Sequence, residues 1–184
     1  MELFRVFDWD GSSLGEAEGG PLFVGRSHQG AGRHDNAGEF GAWYCSRVAV
    51  SAVAETIQYF RNRTLHDRDF TVPNGRAKSL VTLRLDDVIP IVDLDDPAEL
   101  VARSIRPSQV ATRRRVTTQR IATSLFKEGA GGLSWWSTFD AEWTNVTLFY
   151  ERVRRHIVVA SPPVMLSTRN ADVRQAAAHL GIEI

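Results

Sequence analysis

Cysteine is almost missing from this chain. Cys45 is the only one among 184 residues, so no internal disulfide staples the fold, and a reducing compartment such as the cytoplasm suits it. No apolar run approaches the ~18 residues that read as a membrane-spanning helix, and the opening MELFRVFDWDGSS has none of the basic start and apolar stretch of a secretion signal. Net charge is missing as well: 22 Lys+Arg face 22 Asp+Glu. No global field therefore draws the protein to nucleic acid or to an anionic membrane, and any anionic ligand has to be met by individually placed arginines. The five histidines (His28, His34, His66, His156, His179) are scattered and, with one cysteine, offer no zinc-ligand spacing. The Gly-x-Ser-x-Gly elbow of esterases, the Walker phosphate loop and a dinucleotide fingerprint after a strand are absent too.

What is present is ordinary globular material, 43% hydrophobic and 24% charged, in an amount that suits one domain over residues 1–184. Leu3 to Phe7 reads as a strand with Leu3, Arg5 and Phe7 on one face. An arginine in an apolar row calls for an anionic ligand or an internal carboxylate. From Gly11 to Gly38 glycine, serine and charged residues dominate, broken only by Leu22-Phe23-Val24. A glycine-bearing loop of that length inside a compact domain is more often functional than not.

Phe40 to Cys45 reads as a second strand, Ser46 as an N-cap, and Arg47 to about Asn62 as a helix with an apolar stripe of Ala49, Val53, Ile57 and Phe60. Glu55 falls close to the other side, among Val48, Ala52 and Tyr59, either solvated or lining a cleft. Cys45 is a nucleophile only if a histidine approaches in space, and otherwise a small core residue. Further strands are expected at Ser79–Leu85, Ile89–Leu94, Asn145–Tyr150 and Ile157–Ala160. Helices are expected from a cap at Asp95-Asp96-Pro97 to about Ser104, from Pro107 to about Lys127, and from Ala171 to Leu180, stopped by Gly181. Arg113, Arg114, Arg115 and Arg120 read as a solvated face, and Trp9, Trp135, Trp136 and Trp143 as core or interface. Strands outnumber helices without strict alternation, which predicts an α+β fold.

Five segments, taken in order, resemble the RES-domain family, the toxin half of bacterial toxin–antitoxin pairs. They are Phe4-Arg5-Val6; Gly32-Arg33-His34-Asp35-Asn36; Trp43-Tyr44-Cys45-Ser46 with Ala54-Glu55; Thr118-Gln119-Arg120-Ile121-Ala122; and Gly132-Leu133-Ser134-Trp135-Trp136-Ser137. The chain departs from the family pattern at His34, where an aromatic is usual, at Asp35, which is an extra residue, and at Trp136, which replaces a proline. Ser137 rather than Ser134 matches by its spacing from Gly132.

The resemblance implies a fold like that of diphtheria-toxin-like ADP-ribosyltransferases, with a mixed β core and flanking helices. It implies NAD as substrate, cleaved at the nicotinamide–ribose bond with no metal, and water, phosphate or a host protein side chain as acceptor. It also implies a helix-turn-helix antitoxin that covers the active site. By the same resemblance, Glu55 is the catalytic carboxylate, Tyr44 stacks on nicotinamide or ribose, Arg5 and Arg33 hold the pyrophosphate, and Ser137 hydrogen-bonds a ribose or orients Glu55. A catalytically decayed module that keeps only antitoxin binding is the alternative.

Overall fold

The computed structural model describes residues 1–184. In chain order the elements are β1 (Glu2–Trp9), β2 (Ala42–Ser46), α1 (Ala49–Ile57), β3 (Ala77–Leu85), β4 (Ile91–Asp93), α2 (Pro97–Ala102), α3 (Pro107–Val110), α4 (Arg115–Lys127), β5 (Gly132–Trp136), β6 (Thr144–Phe149), α5 (Tyr150–Val153), β7 (Ile157–Val159), β8 (Val164–Met165) and α6 (Ala171–Leu180). The fold is of the α+β class that the element pattern predicts. The chain forms two compact units, each assembled from separate stretches. One comprises Met1, Val24–Tyr44 and Leu85–Ile157; the other comprises Glu2–Phe23, Cys45–Arg84 and Val158–Ile184. No helix is long and apolar enough to cross a membrane.

In the first unit the strand order is β4-β5-β6-β2. β4 runs parallel to β5, with Val92 opposite Leu133, and β5 runs antiparallel to β6, with Leu133 opposite Thr147. The run Gly129–Gly132 reads in the sequence as a glycine turn, but Gly132 begins β5. A Cβ there would lie 2.4 Å from the Thr147 carbonyl oxygen, so the close approach of β6 admits only glycine. The core of this unit joins Phe40, Leu94, Leu100, Leu125, Leu133 and Phe149. The Phe149 ring is tilted against Phe40 at 4.4 Å and edge-on to Phe126 at 5.6 Å.

The single helix expected from Pro107 to Lys127 is two helices, α3 and α4, with a break at residues 111–114. Two causes act there, one local and one long-range. Thr112 Oγ1 accepts a hydrogen bond from the Arg114 N–H at 3.1 Å, a competition with the helix that short polar side chains offer. The carbonyls of Val110 and Thr112 are also taken by the guanidinium of Arg33, at 2.9 and 3.0 Å. The arginines at 113, 114, 115 and 120 are exposed, as expected.

In the second unit β1, β3 and β7 are neighbours in that order, and β8, which the sequence pattern does not signal, pairs with β3. β1 and β3 are antiparallel with Leu3, Arg5 and Phe7 opposite Leu83, Val81 and Ser79. Period-two burial along β3 sets that register, because a one-residue slip would expose Val81, Leu83 and Leu85. α1 packs on β1 and on α6. Its buried residues are Val50, Ser51, Ala52, Val53, Ala54 and Ile57, so Val53 and Ile57 of the expected stripe are buried while Ala49 and Phe60 are only half-buried.

The helix also begins two residues later than expected. Ser46 stays in β2, and its Oγ accepts from the Val48 N–H at 3.2 Å without capping the helix. The regular helix stops at Ile57, a 3-10 turn follows to Phe60, and Asn62 turns the chain with φ at 66°. α6 ends before Gly181, as expected.

Phe149→Ala removes a fully buried ring from the centre of the first core. It is expected to lower unfolding free energy by about 3–5 kcal/mol, read from the midpoint of urea denaturation at unchanged m-value.

Candidate functional site

In the first unit the loop from Val24 to Gly41 has little regular structure, and side chains satisfy its backbone. The Gln29 amide imitates a strand partner: Nε2 donates to the Ala42 carbonyl at 2.6 Å, and Oε1 accepts from the Ala42 N–H at 2.9 Å. From α4, Gln119 Nε2 donates to the carbonyls of Gly30 and Gly32 at 3.1 and 3.0 Å. Thr118 Oγ1 donates to the Arg33 carbonyl. Asn36 Nδ2 returns a bond to the Gln119 carbonyl at 2.9 Å. The sequence segment beginning Thr118-Gln119 is thus the clamp on the segment containing Arg33.

Asp35 sits at the centre of this loop. Its buried carboxylate accepts the N–H groups of Gly30 and Gly32 through Oδ2, at 2.8 and 2.7 Å, and the hydroxyl of Tyr44 through Oδ1, at 2.6 Å. The Tyr44 oxygen in turn accepts from the His34 N–H at 2.9 Å. Burial first, then the bond to Asp35, push the Tyr44 phenol well above its ordinary pKa, so it stays a neutral donor. Gly32 makes room for this meeting: a Cβ there would stand 2.5 Å from both the Tyr44 hydroxyl oxygen and Asp35 Oδ1.

His34 alone of the five histidines is buried. Nδ1 is 2.8 Å from Thr147 Oγ1, and the ring meets Trp135 edge-on at 4.6 Å. Desolvation, then the charges of Arg33 and Arg115, hold the imidazole well below its ordinary value of 6.5.

The structure joins Arg33 and Tyr44 through this loop. Arg33 reaches the break between α3 and α4, Nη1 donating to both carbonyls there. Ser137 follows β5 and is buried. Its N–H donates to the Trp143 carbonyl at 2.7 Å, and its Oγ accepts from the Phe139 N–H at 3.2 Å. Ser134, inside β5, commits its hydroxyl to Asp93 at 2.9 Å.

Arg5 and Glu55 belong to the second unit. Arg5 rises from an apolar row, and its guanidinium donates to the main-chain carbonyls of Pro21 and Phe23 at 2.6 and 2.9 Å. Burial lowers its pKa, against the opposing influence of Cys45 and Asp8. Cys45 is buried and its thiol is pushed up to about 12 by desolvation, so it is a neutral core residue. Glu55 is half-buried on α1, and Gln58 Nε2 donates to its Oε2 at 3.1 Å. No group of three or more His, Cys, Asp or Glu side chains is arranged to hold a metal ion.

Asp35, which in the sequence stands out only as an extra residue, is the member that pattern matching misses. The signal is nevertheless present: an aspartate close behind two glycines in a turn is a ready acceptor for their amides.

Gly32→Ala is expected to displace Tyr44 or Asp35 and to destabilise the protein by about 1–3 kcal/mol, as overpacking does; thermal melts measure it. Because His34 binds its proton less readily folded than unfolded, its contribution to stability is complete above about pH 6.5 and declines as the pH falls below that value. Denaturant midpoints measured down to about pH 5 are expected to fall for the wild type and to fall less for His34→Gln.

A search of curated proteins finds no match. Among solved structures, the chain is similar to one described as the crystal structure of the M. tuberculosis MbcT–MbcA toxin–antitoxin complex. The TM-score is 0.66 at 14% identity, over 98% of this chain and 87% of that one. That likeness is one of fold. The RES domain model matches residues 4–168, a span containing Arg5, Arg33, Tyr44, Glu55 and Ser137. The chain belongs to the RES-domain family.

Proposed function

We propose that this protein is the toxin of a toxin–antitoxin pair and that it consumes NAD by cleaving the nicotinamide–ribose bond. The observation that carries the reading is the family match across residues 4–168. The likeness in fold to a chain from a toxin–antitoxin complex supports the existence of a partner.

The reaction asks little beyond positioning and charge. The bond between C1′ of the ribose and the pyridinium nitrogen breaks, and its electron pair leaves with nicotinamide, which becomes neutral. Positive charge develops on the sugar, and an acceptor (water, phosphate or a protein side chain) then bonds to C1′ and gives up a proton. Glu55 is the carboxylate assigned to stabilise that charge and to accept a ribose hydroxyl. Tyr44, with its hydroxyl held by Asp35 and His34, presents a fixed ring face for nicotinamide or ribose, which limits the conformers the bound sugar adopts. Arg33 and Arg5 supply the positive charge for the pyrophosphate, and guanidinium suits its paired oxygens better than ammonium. Ser137 is assigned to a ribose hydroxyl or to the orientation of Glu55. The proposed partner is a helix-turn-helix antitoxin that covers this site.

Purified protein incubated with NAD is expected to release nicotinamide, and Glu55→Gln is expected to lower the rate by a factor of about 100 or more, the size of a lost transition-state contact. Parallel reactions with phosphate and with cell lysate follow the fate of ADP-ribose. A folded Glu55→Gln variant with wild-type turnover moves the catalytic carboxylate elsewhere. A wild type that neither releases nicotinamide nor arrests growth when expressed alone favours the decayed binding module.

A further inference from the structure

Between Leu100 and Lys127 the chain carries seven cations and not one carboxylate, although the two signs balance over its whole length. Two of the seven are paired within the unit. Arg103 bridges Glu99 and Glu128, and Lys127 faces Glu39 at 3.8 Å. The other five, Arg106, Arg113, Arg114, Arg115 and Arg120, are exposed, and none forms a salt bridge. Like charges held this close repel one another, and an anionic surface laid against them relieves that repulsion.

Beside these arginines runs an open groove of about 640 Å³. One wall is α4, which turns Thr117, Arg120, Ile121, Ser124, Leu125 and Glu128 toward it at spacings of three and four, a single helix face. The segment from Ala102 to Gln109 forms the other wall. The floor is apolar: Ile105 and Ile121 are half-buried against the core, and Leu125 is part of it. Arg120 stands on the rim. The charge of Glu128 is already met by Arg103, so the positive sign prevails. From Thr117 to Glu128 the wall is about 16 Å long, roughly three helical turns.

We propose that this groove docks an acidic amphipathic helix of a partner protein, its apolar stripe on Ile105, Ile121 and Leu125 and its carboxylates against Arg120 and the arginines beyond the start of α4. An apolar channel beside a helix is the usual receptor for such a segment, and the unpaired arginines select its charge and speed the encounter. The same stretch is poorly made for single-stranded nucleic acid. Its only aromatic, Phe126, lies under Arg152 and against Phe149, so no exposed ring is offered for base stacking.

The test uses the full chain and three fluorescent probes, followed by anisotropy. The first is a designed helix of about five turns with leucines at helical spacing and glutamates on the flanks. The second is the same peptide with lysine for each glutamate, and the third is a single-stranded RNA of similar length. The acidic peptide is expected to bind saturably, and more weakly as salt rises. Arg120→Glu and Ile121→Asp are each expected to weaken it by about tenfold or more. Arg120 is exposed, so its reversal tests the surface without threatening the fold. No binding of the acidic peptide, equal binding of the lysine twin, or indifference to Arg120→Glu overturns the proposal. Tighter binding of the RNA assigns the surface to nucleic acid instead.

Discussion

The irregular part of the first unit depends on one buried carboxylate. Asp35 gathers two main-chain amides and a phenol around itself. A carboxylate removed from water is costly unless its oxygens are met by donors, and here each oxygen has at least one. Removing the Tyr44 hydroxyl would take the donor from Oδ1, so the loop geometry and the Tyr44 orientation are tied together. The absence of a side chain at Gly32 belongs to the same constraint, because that space is filled by the groups that bond to one another. His34, the next residue back, is carried inward by the turn and anchored on Thr147 and Trp135.

Two arginines repeat the device with opposite sign. Arg5 holds the carbonyls of residues 21 and 23, and Arg33 holds those of residues 110 and 112. Each fastens backbone that has no ladder partner, which is how buried carbonyls outside regular structure avoid a desolvation cost. The family resemblance gives both arginines the role of holding a pyrophosphate. In the structure they are first of all fasteners of loops, and Arg33 ends a helix by taking its carbonyls.

The similarity to a toxin–antitoxin structure at 14% identity shows how little of the residue content the fold needs. Burial pattern and volume carry a core, and many apolar combinations meet them. In this chain the pattern is legible along β3, where alternate residues are buried, and along α6, where Val173, Ala176, Ala177 and Leu180 recur on one face. The family is shown instead by the match of the RES domain model over residues 4–168.

By itself the sequence determined the α+β class, the bounds of α6, the Asp96 cap of α2 and the family, since each rests on local periodicity, turn chemistry or short motifs. It also determined that Cys45 is a small residue on a strand, but whether that residue is reactive depended on burial. Tertiary structure decided the rest. The break after Pro107–Val110 has a local contribution from Thr112, but the guanidinium that binds the carbonyls there comes from more than 70 residues away in sequence. Gly132 enters a strand because the β6 backbone approaches it. Asp35 takes the amides of Gly30 and Gly32 by turn chemistry that the sequence shows, but its bond to Tyr44 depends on how folding sets the loop against the strand. These are long-range hydrogen bonds and close contacts, and a linear pattern holds no record of which partner folding will deliver.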